Sequence, residues 1–258
     1  MRFKGDVPQA GKREMVSSVP SKRSVPLVRI DFQSMQDKVY EQITHVLMRG
    51  GFEPGQKVSS RKLAATLGTS DMPVRAALGR LLAEGGLIQN SNGTFSIPLI
   101  GRVKFREVME LRALLEGRAT AEACGNIDRK GFKDLRECSE GLAAAIEQND
   151  IHGYLDFNQR LKFTVYSYGP SGTLRSHIQL LWLQAGPFLR HLNTDLRQMT
   201  AANFHEDVIA ALLGNERRKA STAMSRDILA GMNFLLQNAA FAEEEEAMSV
   251  RERTTGDG

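Results

Sequence analysis

The apolar positions in the first hundred residues recur at helical spacing in three runs. They predict one helix from Met35 to the glycine pair at 50–51, a second capped by Ser59 or Ser60, and a third that begins at Ser70. Each run is short, and each ends at a glycine or a turn sequence. The pattern is typical of a small domain that packs three helices around one core.

The connections between these runs predict a more specific arrangement. A short turn containing Gly68 separates the second and third helices, as in a helix-turn-helix. The strand-like runs LIQN and TFSI follow, and Asn92-Gly93 between them is a typical hairpin turn. We therefore predict a winged helix-turn-helix over residues 34–98.

Beyond a short linker at residues 99–103, the apolar periodicity is helical throughout. The predicted segments lie near 103–124, 128–148, 151–168, 172–198, 200–213 and 216–240. Pro187 is expected to kink the fourth segment, because proline lacks the amide hydrogen that a helix needs. The predicted fold class is mostly α: a winged helix-turn-helix of three helices and a β-hairpin, then an all-helical bundle of about six helices over residues 104–242.

The helix that begins at Ser70 has two unlike faces. Ser70 is a good N-cap, and Asp71 in the first turn complements the helix dipole. The positions expected to form its buried stripe are Val74, Ala77, Leu78, Leu81 and Leu82. The other face carries one long cation, Arg75, among small residues such as Ala76 and Gly79, although a mid-helix glycine costs about 1 kcal/mol relative to alanine. Such a face suits close approach to another surface.

The composition is that of a globular chain, and its length allows two ordinary domains or one large one. Of 258 residues, 41% are hydrophobic and 25% are charged, and no apolar run is long enough to cross a membrane. We find no signal-peptide pattern and expect a cytoplasmic protein with no membrane partner. Cys124 and Cys138 match neither a disulfide framework nor a metal-knuckle spacing, so we expect two reduced, buried thiols.

Positive charge is concentrated at the start of the chain. Residues 1–33 hold seven Lys and Arg against three acidic residues, and residues 34–98 hold seven against five. The remainder is net negative by two charges, within an overall charge of +4. We interpret residues 1–33 as a flexible basic arm and residues 243–258 as a flexible tail. The asymmetry is compatible with a polyanionic partner for the N-terminal part.

Several motifs resemble those of the GntR family of bacterial transcription regulators, in the FadR-like branch with an all-helical FCD effector domain. The front part matches in VYEQI, EPGQKVSSRKLAATLGTSDMPVRAALGRLLAEGGLI and the wing NGTFSI. The back half matches more loosely in LRALLEGRATAEAC, NQRLKFTVYSYGPSGTL and HEDVIAALLGNERRKASTAMSRDI. The resemblance covers roughly residues 35–240 and implies a homodimer that binds a double-stranded DNA operator.

The resemblance makes the helix from Ser70 the recognition helix for the major groove. Arg75 would then contact a guanine edge or a phosphate, unless it is a surface cation paired with Glu84 or another acid. Asp71 replaces a second family arginine, and either accepts from a cytosine amino group or only complements the dipole. The residues implied to contact DNA are Lys57, Arg61, Lys62, Ser70, Asp71, Met72, Arg75, Gly93 and Thr94, with Gly93 at the wing tip entering the minor groove.

Many FCD domains hold a divalent metal through an Asp or Asn and three His side chains. The corresponding positions here are Asn158, Lys162, His205 and Asp227. Lysine at neutral pH offers no lone pair and would repel a cation. We therefore predict no cofactor and no zinc, nickel or manganese at this site, and an ion pair between Lys162 and Asp227 in place of the metal.

Two interpretations of this effector pocket remain open. In the first, Lys162, His205 and Arg112 bind an organic acid or another anionic metabolite. In the second, the Lys162–Asp227 pair only fills the former metal site, and the effector binds elsewhere or not at all. Arg112 could equally pair with Glu116 on the surface of the same helix, and His205 could be an ordinary core histidine.

The leading hypothesis is therefore a ligand-responsive transcription regulator that acts as a homodimer on DNA. The alternatives are an architectural DNA-binding protein without an effector and, with little support, a helical enzyme that uses His205. The sequence shows neither a nucleophile–base constellation nor a glycine-rich phosphate loop. We expect a protein that is not an enzyme.

Overall fold

The computed structural model describes residues 34–194 and 204–242. The N-terminal domain contains, in chain order, α1 Met35–Met48, β1 Lys57–Val58, α2 Ser60–Leu67, α3 Asp71–Ala83, β2 Ile88–Gln89 and β3 Phe95–Ser96. The predicted helix-turn-helix and hairpin are both present. The predicted basic arm at 1–33 and tail at 243–258 lie outside the described residues.

The wing is a three-stranded antiparallel sheet rather than a simple hairpin. Its strand order is β1-β3-β2, and Ser96 of β3 is paired with Lys57 on one side and with Ile88 on the other. The sequence did not predict β1, because a two-residue strand after the turn EPGQ is too short to show alternation. This strand ties the wing to the segment that precedes α2.

The first residues of the N-terminal helices are capped in different ways. Ser34 and Asp37 form a capping box at α1, and the Ser59 hydroxyl accepts from the Lys62 amide at α2. Ser70 lies at the N-cap of α3 with extended backbone, but its side chain makes no capping hydrogen bond within the described chain. The predicted hydroxyl cap is therefore wrong. The third helical residue is Pro73, which has no backbone N–H that could donate a hydrogen bond to the Ser70 hydroxyl.

The helical domain follows the predicted order of segments. Its elements are α4 Arg102–Ala123, α5 Arg129–Gln148, α6 Ile151–Ser167, α7 Gly172–Ala185, a 3₁₀ segment Gly186–Thr194, α8 Phe204–Leu213 and α9 Arg217–Asn238. The predicted fourth helix is not an α-helix throughout its described part, and its predicted residues 195–198 lie outside the described residues. It ends at Ala185, just before Pro187, and continues as the 3₁₀ segment. None of the helices described here is long and apolar enough to cross a membrane.

The core of the helical domain lies around α4, which packs against α7 and α9. Trp182, Tyr166 and Phe105 are fully buried there. A Cβ at Gly117 would lie 2.5 Å from the Ser225 hydroxyl of α9, so glycine is required for this close helix packing. Cys124 and Cys138 are free, buried thiols, as predicted.

The end of α1 packs directly on the 3₁₀ segment. A Cβ at Gly186 would lie 2.6 Å from the Leu47 carbonyl, and one at Gly50 would lie 2.7 Å from the Arg190 amide nitrogen. Arg190 also forms an ion pair with Glu53 at 2.9 Å. The 3₁₀ segment is therefore one part of the helical domain on which the end of α1 packs.

Candidate functional site

The outer face of α3 is exposed and carries the side chains that the sequence predicted. Val74, Ala77, Leu78 and Leu81 are buried, whereas Leu82 is only partly buried. On the other face, Arg75, Ala76 and Gly79 are exposed, and Met72 is 75% exposed. A Cβ at Gly79 would meet no atom of the described chain within 4 Å. Packing within the described part of the protein therefore gives no reason for a glycine in the middle of this helix.

Arg75 is paired with an acid on its own helix. Its guanidinium lies 3.7 Å from the Asp71 carboxylate, four residues earlier. The predicted alternative partner, Glu84, instead accepts hydrogen bonds from Tyr40 at 2.5 Å and from Arg80 at 3.0 Å. The alternative of a surface cation paired with an acid is therefore present, with Asp71 rather than Glu84 as the partner. The exposed ion pair with Asp71 contributes little stability but restricts the orientations of the guanidinium.

The other predicted DNA-contacting residues are exposed on three neighbouring elements of the N-terminal domain. Arg61 and Lys62 lie in the first turn of α2, and Lys57 lies on β1. Gly93 lies in the β2–β3 turn with φ +77°, and a Cβ there would meet no atom of the described residues within 4 Å. Thr94 beside it donates through its hydroxyl to the Asn92 side chain at 2.7 Å.

The predicted ion pair between Lys162 of α6 and Asp227 of α9 is present in the helical domain. The Lys162 ammonium donates to the Asp227 carboxylate and also lies 3.4 Å from the Met224 sulfur. Lys162 is buried, and Asp227 is mostly buried. Burial alone would raise the pKa of Asp227, but the charge and hydrogen bond of Lys162, together with His205, bring that pKa below its usual value. The Asp227 carboxylate is therefore charged at neutral pH.

His205 of α8 lies beside this pair. Its Nε2 atom is 3.1 Å from the Asn158 side-chain oxygen and 3.9 Å from the nearer Asp227 oxygen. Burial lowers the pKa of His205, so the imidazole is neutral at pH 7. In that state Nε2–H donates to Asn158, whose amide oxygen accepts.

These four side chains do not fit a divalent metal. Three of them could offer a lone pair, but the fourth is the ammonium of Lys162, which has none and is paired with Asp227. The carboxylate that would face a metal is already engaged by that ammonium. Among the described residues, no group of three or more His, Cys, Asp or Glu side chains is placed to hold a metal ion.

Arg112 of α4 belongs to a buried polar network. Its Nε atom donates to Glu116 at 2.7 Å, and its guanidinium lies 4.1 Å from the centre of the Trp182 ring. Glu116 also accepts from the Tyr166 hydroxyl at 2.5 Å and from the Trp182 indole at 3.0 Å. The predicted alternative of an Arg112–Glu116 pair on the surface is wrong about the location, because α7 covers both side chains.

A cavity of about 370 Å³ brings the predicted effector residues together. We call it the Lys162 cavity. The five predicted residues that line it are Arg112, Asn158, Lys162, His205 and Asp227. Leu189 and Leu192 of the 3₁₀ segment form part of its apolar wall, as does Ile228 of α9. Its volume lies within the range of small-molecule sites, roughly 300–1,000 Å³.

Two family profiles match the chain. The one described as "Bacterial regulatory proteins, gntR family" matches residues 35–96, and the one described as "FCD domain" matches residues 107–230. The HTH-type transcriptional regulator McbR of Escherichia coli (strain K12) is 30% identical over 159 residues, which cover 62% of this chain and 72% of McbR. The chain belongs to the GntR family. It carries the GntR helix-turn-helix followed by an FCD domain.

Other GntR regulators are similar over smaller or more divergent regions. The Nta operon transcriptional regulator of Aminobacter aminovorans is 38% identical over 86 residues, 33% of this chain and 41% of that protein. The solved structure of E. coli McbR/YncC has a TM-score of 0.75 at 26% identity, covering 80% of this chain and 99% of that one. A putative GntR regulator from Rhodococcus sp. RHA1 shares the fold, with a TM-score of 0.63 at 15% identity, 78% of this chain and 97% of that one.

The FCD domain of this GntR protein has cavity residues that the sequence did not single out. Ser139 of α5 donates to Glu206 of α8, and both line the Lys162 cavity, as does Tyr154. They lie outside the four metal positions, so the family resemblance could not indicate them. Because α5 and α8 are far apart in sequence, only the folded structure brings Ser139 and Glu206 together.

Proposed function

We propose that this GntR-family chain is a ligand-responsive transcription regulator that reads an operator through α3. The observation that carries the proposal is the outer face of that helix, where Arg75 stands among small residues and Gly79 has no packing role in the described chain. A helix of this shape fits the major groove, where backbone and base edges approach closely. The membership of the family supports the same partner.

Each predicted DNA contact has a distinct chemical role in this proposal. Arg75 donates two hydrogen bonds to a guanine edge, and Asp71 orients it from one turn away. Lys57, Arg61 and Lys62 bind phosphates and supply affinity that depends on salt. Gly93 enters the minor groove at the wing tip, where any side chain would add bulk. The proposed DNA-contacting surface also includes Ser70, Met72 and Thr94.

The proposed effector is a small organic acid in the Lys162 cavity. Its carboxylate would join that of Asp227 at the Lys162 ammonium, which has three hydrogen-bond donors, and Arg112, which also lines the cavity, would offer further donors. Asn158 and His205 would contribute neutral hydrogen-bonding groups. We propose that no metal or other cofactor takes part and that the protein catalyses no reaction.

The proposed route from effector to DNA is the 3₁₀ segment. Leu189 and Leu192 line the Lys162 cavity, whereas Arg190 between them contacts Gly50 and Glu53 of the N-terminal domain. A ligand that changes the packing of the two leucines would therefore change the surface on which α1 rests. It can shift the equilibrium between two placements of the DNA-binding domain only through its difference in affinity for them.

We also propose that the protein acts as a homodimer through the outward face of α4. Leu114 is 66% exposed and Leu111 is 44% exposed, one helical turn apart. Exposed leucines that share a helix face suit burial against a second copy. Two DNA-binding domains would then read two half-sites of a symmetric operator.

The alternative, an architectural DNA-binding protein, is favoured by one observation. Both cations of the Lys162 cavity already have carboxylate partners, Glu116 and Asp227, so the site is electrostatically complete without a ligand. Under this alternative no metabolite changes the melting temperature or the operator affinity. A thermal-shift screen that starts with organic acids separates the two, because a ligand of the folded state raises the melting temperature.

The experiment that tests DNA reading begins with selection of the operator from random duplexes. Arg75→Ala is expected to lower affinity for that operator about 10- to 100-fold, since a bidentate base contact contributes about 1–3 kcal/mol of discrimination. Arg136→Ala removes an exposed arginine from α5 and serves as the control with unchanged affinity. Retention of full sequence preference by the Arg75 variant in a gel-shift assay would refute the role of α3.

A further inference from the structure

One exposed side chain of α3 has no counterpart elsewhere on the described surface. Met72 is 75% exposed, which is the largest exposed fraction of any large apolar side chain in the described residues. It lies in the first turn of α3, directly after Asp71. A single exposed apolar residue is ordinary on a protein surface, so exposure by itself assigns Met72 no role. The position of Met72 on the helix is the observation that points to one.

Met72 shares a helix face with the residues that form the outer surface of α3. Arg75, Ala76 and Gly79 follow it by three, four and seven residues, and this spacing places all four positions on one side of the helix. Ala76 and Gly79 are exposed and too short to shield Met72 from an approaching surface. In a helix-turn-helix, the N-terminal residues of the recognition helix contact base edges. Met72 therefore faces a base pair wherever Arg75 does.

The methionine side chain restricts which base edge can face it. It carries no hydrogen-bond donor, and its thioether sulfur is only a weak acceptor. An amino group or a carbonyl oxygen of a base placed against it would lose its water without gaining a hydrogen bond, which is destabilising. The major groove offers one apolar group, the 5-methyl group of thymine. Met72 therefore favours thymine by contact and disfavours the other bases by desolvation.

The spacing of Met72 and Arg75 limits the distance between the two bases that they contact. Three residues of α-helix rise about 4.5 Å, and successive base pairs of B-DNA are about 3.4 Å apart. The ion pair of Arg75 with Asp71, at 3.7 Å, draws the guanidinium back toward the first turn of the helix. The two contacts therefore fall on base pairs that are roughly one or two steps apart.

We propose that Met72 is a specificity-determining residue that reads the 5-methyl group of a thymine, roughly one or two base pairs from the guanine bound by Arg75. A 5-methylcytosine at that position presents the same methyl group to the same side chain. The inference rests on the DNA reading proposed above, and it adds the identity of a second base. A duplex without the methyl group still contacts Arg75, so it is bound more weakly rather than not at all.

The test uses the full-length protein and the operator that selection from random duplexes yields. Each thymine of one half-site is replaced in turn by deoxyuridine, which removes only the methyl group. At one position we expect the affinity to fall about fourfold, the effect of burying one methyl-sized group. At the same position, 5-methylcytosine should bind about fourfold more tightly than cytosine, because that exchange also adds only a methyl group.

Protein variants assign the effect to the Met72 side chain. Met72→Ala is expected to bind the thymine and deoxyuridine duplexes equally, so the two changes are not additive in a double-mutant cycle. Met72→Leu keeps an apolar side chain and should keep most of the discrimination. Leu213→Ala removes an exposed leucine from the FCD domain and should show the full fourfold difference. Met72 and Leu213 are both more than half exposed, so these variants are expected to fold normally.

The outcomes separate the role of Met72 from the proposed function. Loss of sequence preference in Arg75→Ala, together with a methyl effect that Met72→Ala abolishes, supports both. An operator that depends on Arg75 but shows no methyl effect overturns the role of Met72 and leaves the DNA reading by α3 intact. A methyl effect that Met72→Ala leaves unchanged does the same. A protein that selects no sequence from the random duplexes overturns both.

Discussion

At the scale of single residues, Lys162 places a buried cationic side chain in the wall of the FCD-domain cavity. Its ammonium occupies a position where the family resemblance implies a metal-binding histidine, and Asp227 supplies the opposite charge. Lys162 or Asp227 alone at these positions would be a buried charge without a partner, which is costly, whereas the two together form a pair. Burial lowers the pKa of His205, so the imidazole beside Asn158 is neutral and adds no charge to the site.

The two members of this pair should depend on each other for stability. We expect Asp227→Asn to lower the free energy of unfolding by about 3 kcal/mol, because the buried Lys162 ammonium loses its partner. Adding Lys162→Met to that variant should recover most of the loss. Glu137→Gln breaks the exposed pair with Lys133 and should cost less than about 0.5 kcal/mol. Urea unfolding at pH 7 measures all four proteins, and an Asp227→Asn loss no larger than that of Glu137→Gln would contradict the expectation.

Whether the site binds a metal should depend on the same two residues, Lys162 and Asp227. Protein purified without chelator is expected to hold well under one transition-metal ion per chain, since an ammonium offers no lone pair. The double variant Lys162→His with Asp227→His supplies three imidazoles beside Asn158 and should bind nickel with about one ion per chain. Atomic-emission analysis of both proteins decides the point. A stoichiometric metal in the unaltered protein would show that Lys162 moves aside for it.

At the scale of elements, the sequence predicted every described helix, and its errors have local causes. Apolar spacing marked the helices because each buries one stripe. The predicted capping hydrogen bond of Ser70 is absent, and Pro73 has no backbone N–H that could donate to the Ser70 hydroxyl. Strand β1 is too short for a periodic signal. At Pro187 the apolar pattern stays helical, but the α-helix ends at Ala185 and is followed by a 3₁₀ segment that packs on α1.

The candidate site was predictable in its residues but only partly in its environment. The family positions brought Lys162 and Asp227 together correctly, and their ion pair is present. The four-residue spacing of Arg112 and Glu116 also predicted their pairing. Their burial could not be predicted, because it depends on Trp182 of α7, which lies far along the chain. The same limit applies to the cavity wall formed by the 3₁₀ segment.

The glycine in α3 gives this element a testable conflict between stability and function. We expect Gly79→Ala to raise the free energy of unfolding by about 1 kcal/mol, because alanine favours helix and the space is open. Operator affinity should nevertheless fall at least about tenfold, since the added methyl holds the helix away from the base edges. Gly231→Ala in α9 is the matched control, with equally open space and no expected effect on DNA. Operator affinity of Gly79→Ala equal to that of the control would show that α3 does not enter the groove closely.

At the scale of the whole molecule, the 3₁₀ segment joins the two proposed activities. Its leucines face the Lys162 cavity, and Arg190 with Gly186 supports the end of α1. The proposed effector would therefore lie against the segment that supports the end of α1.

The proposed dimer is the last property that belongs to the whole molecule. We expect Leu114→Glu to convert the protein to monomers, because two carboxylates would be buried where two leucines meet. Operator affinity should then fall about 100-fold, since two linked half-site contacts become one. Leu213→Glu, at a similarly exposed leucine of α8, should remain dimeric. Analytical ultracentrifugation and fluorescence anisotropy measure the two effects. A dimer that survives Leu114→Glu would move the interface away from α4, and tight operator binding by a monomer would remove the requirement for two-fold symmetry.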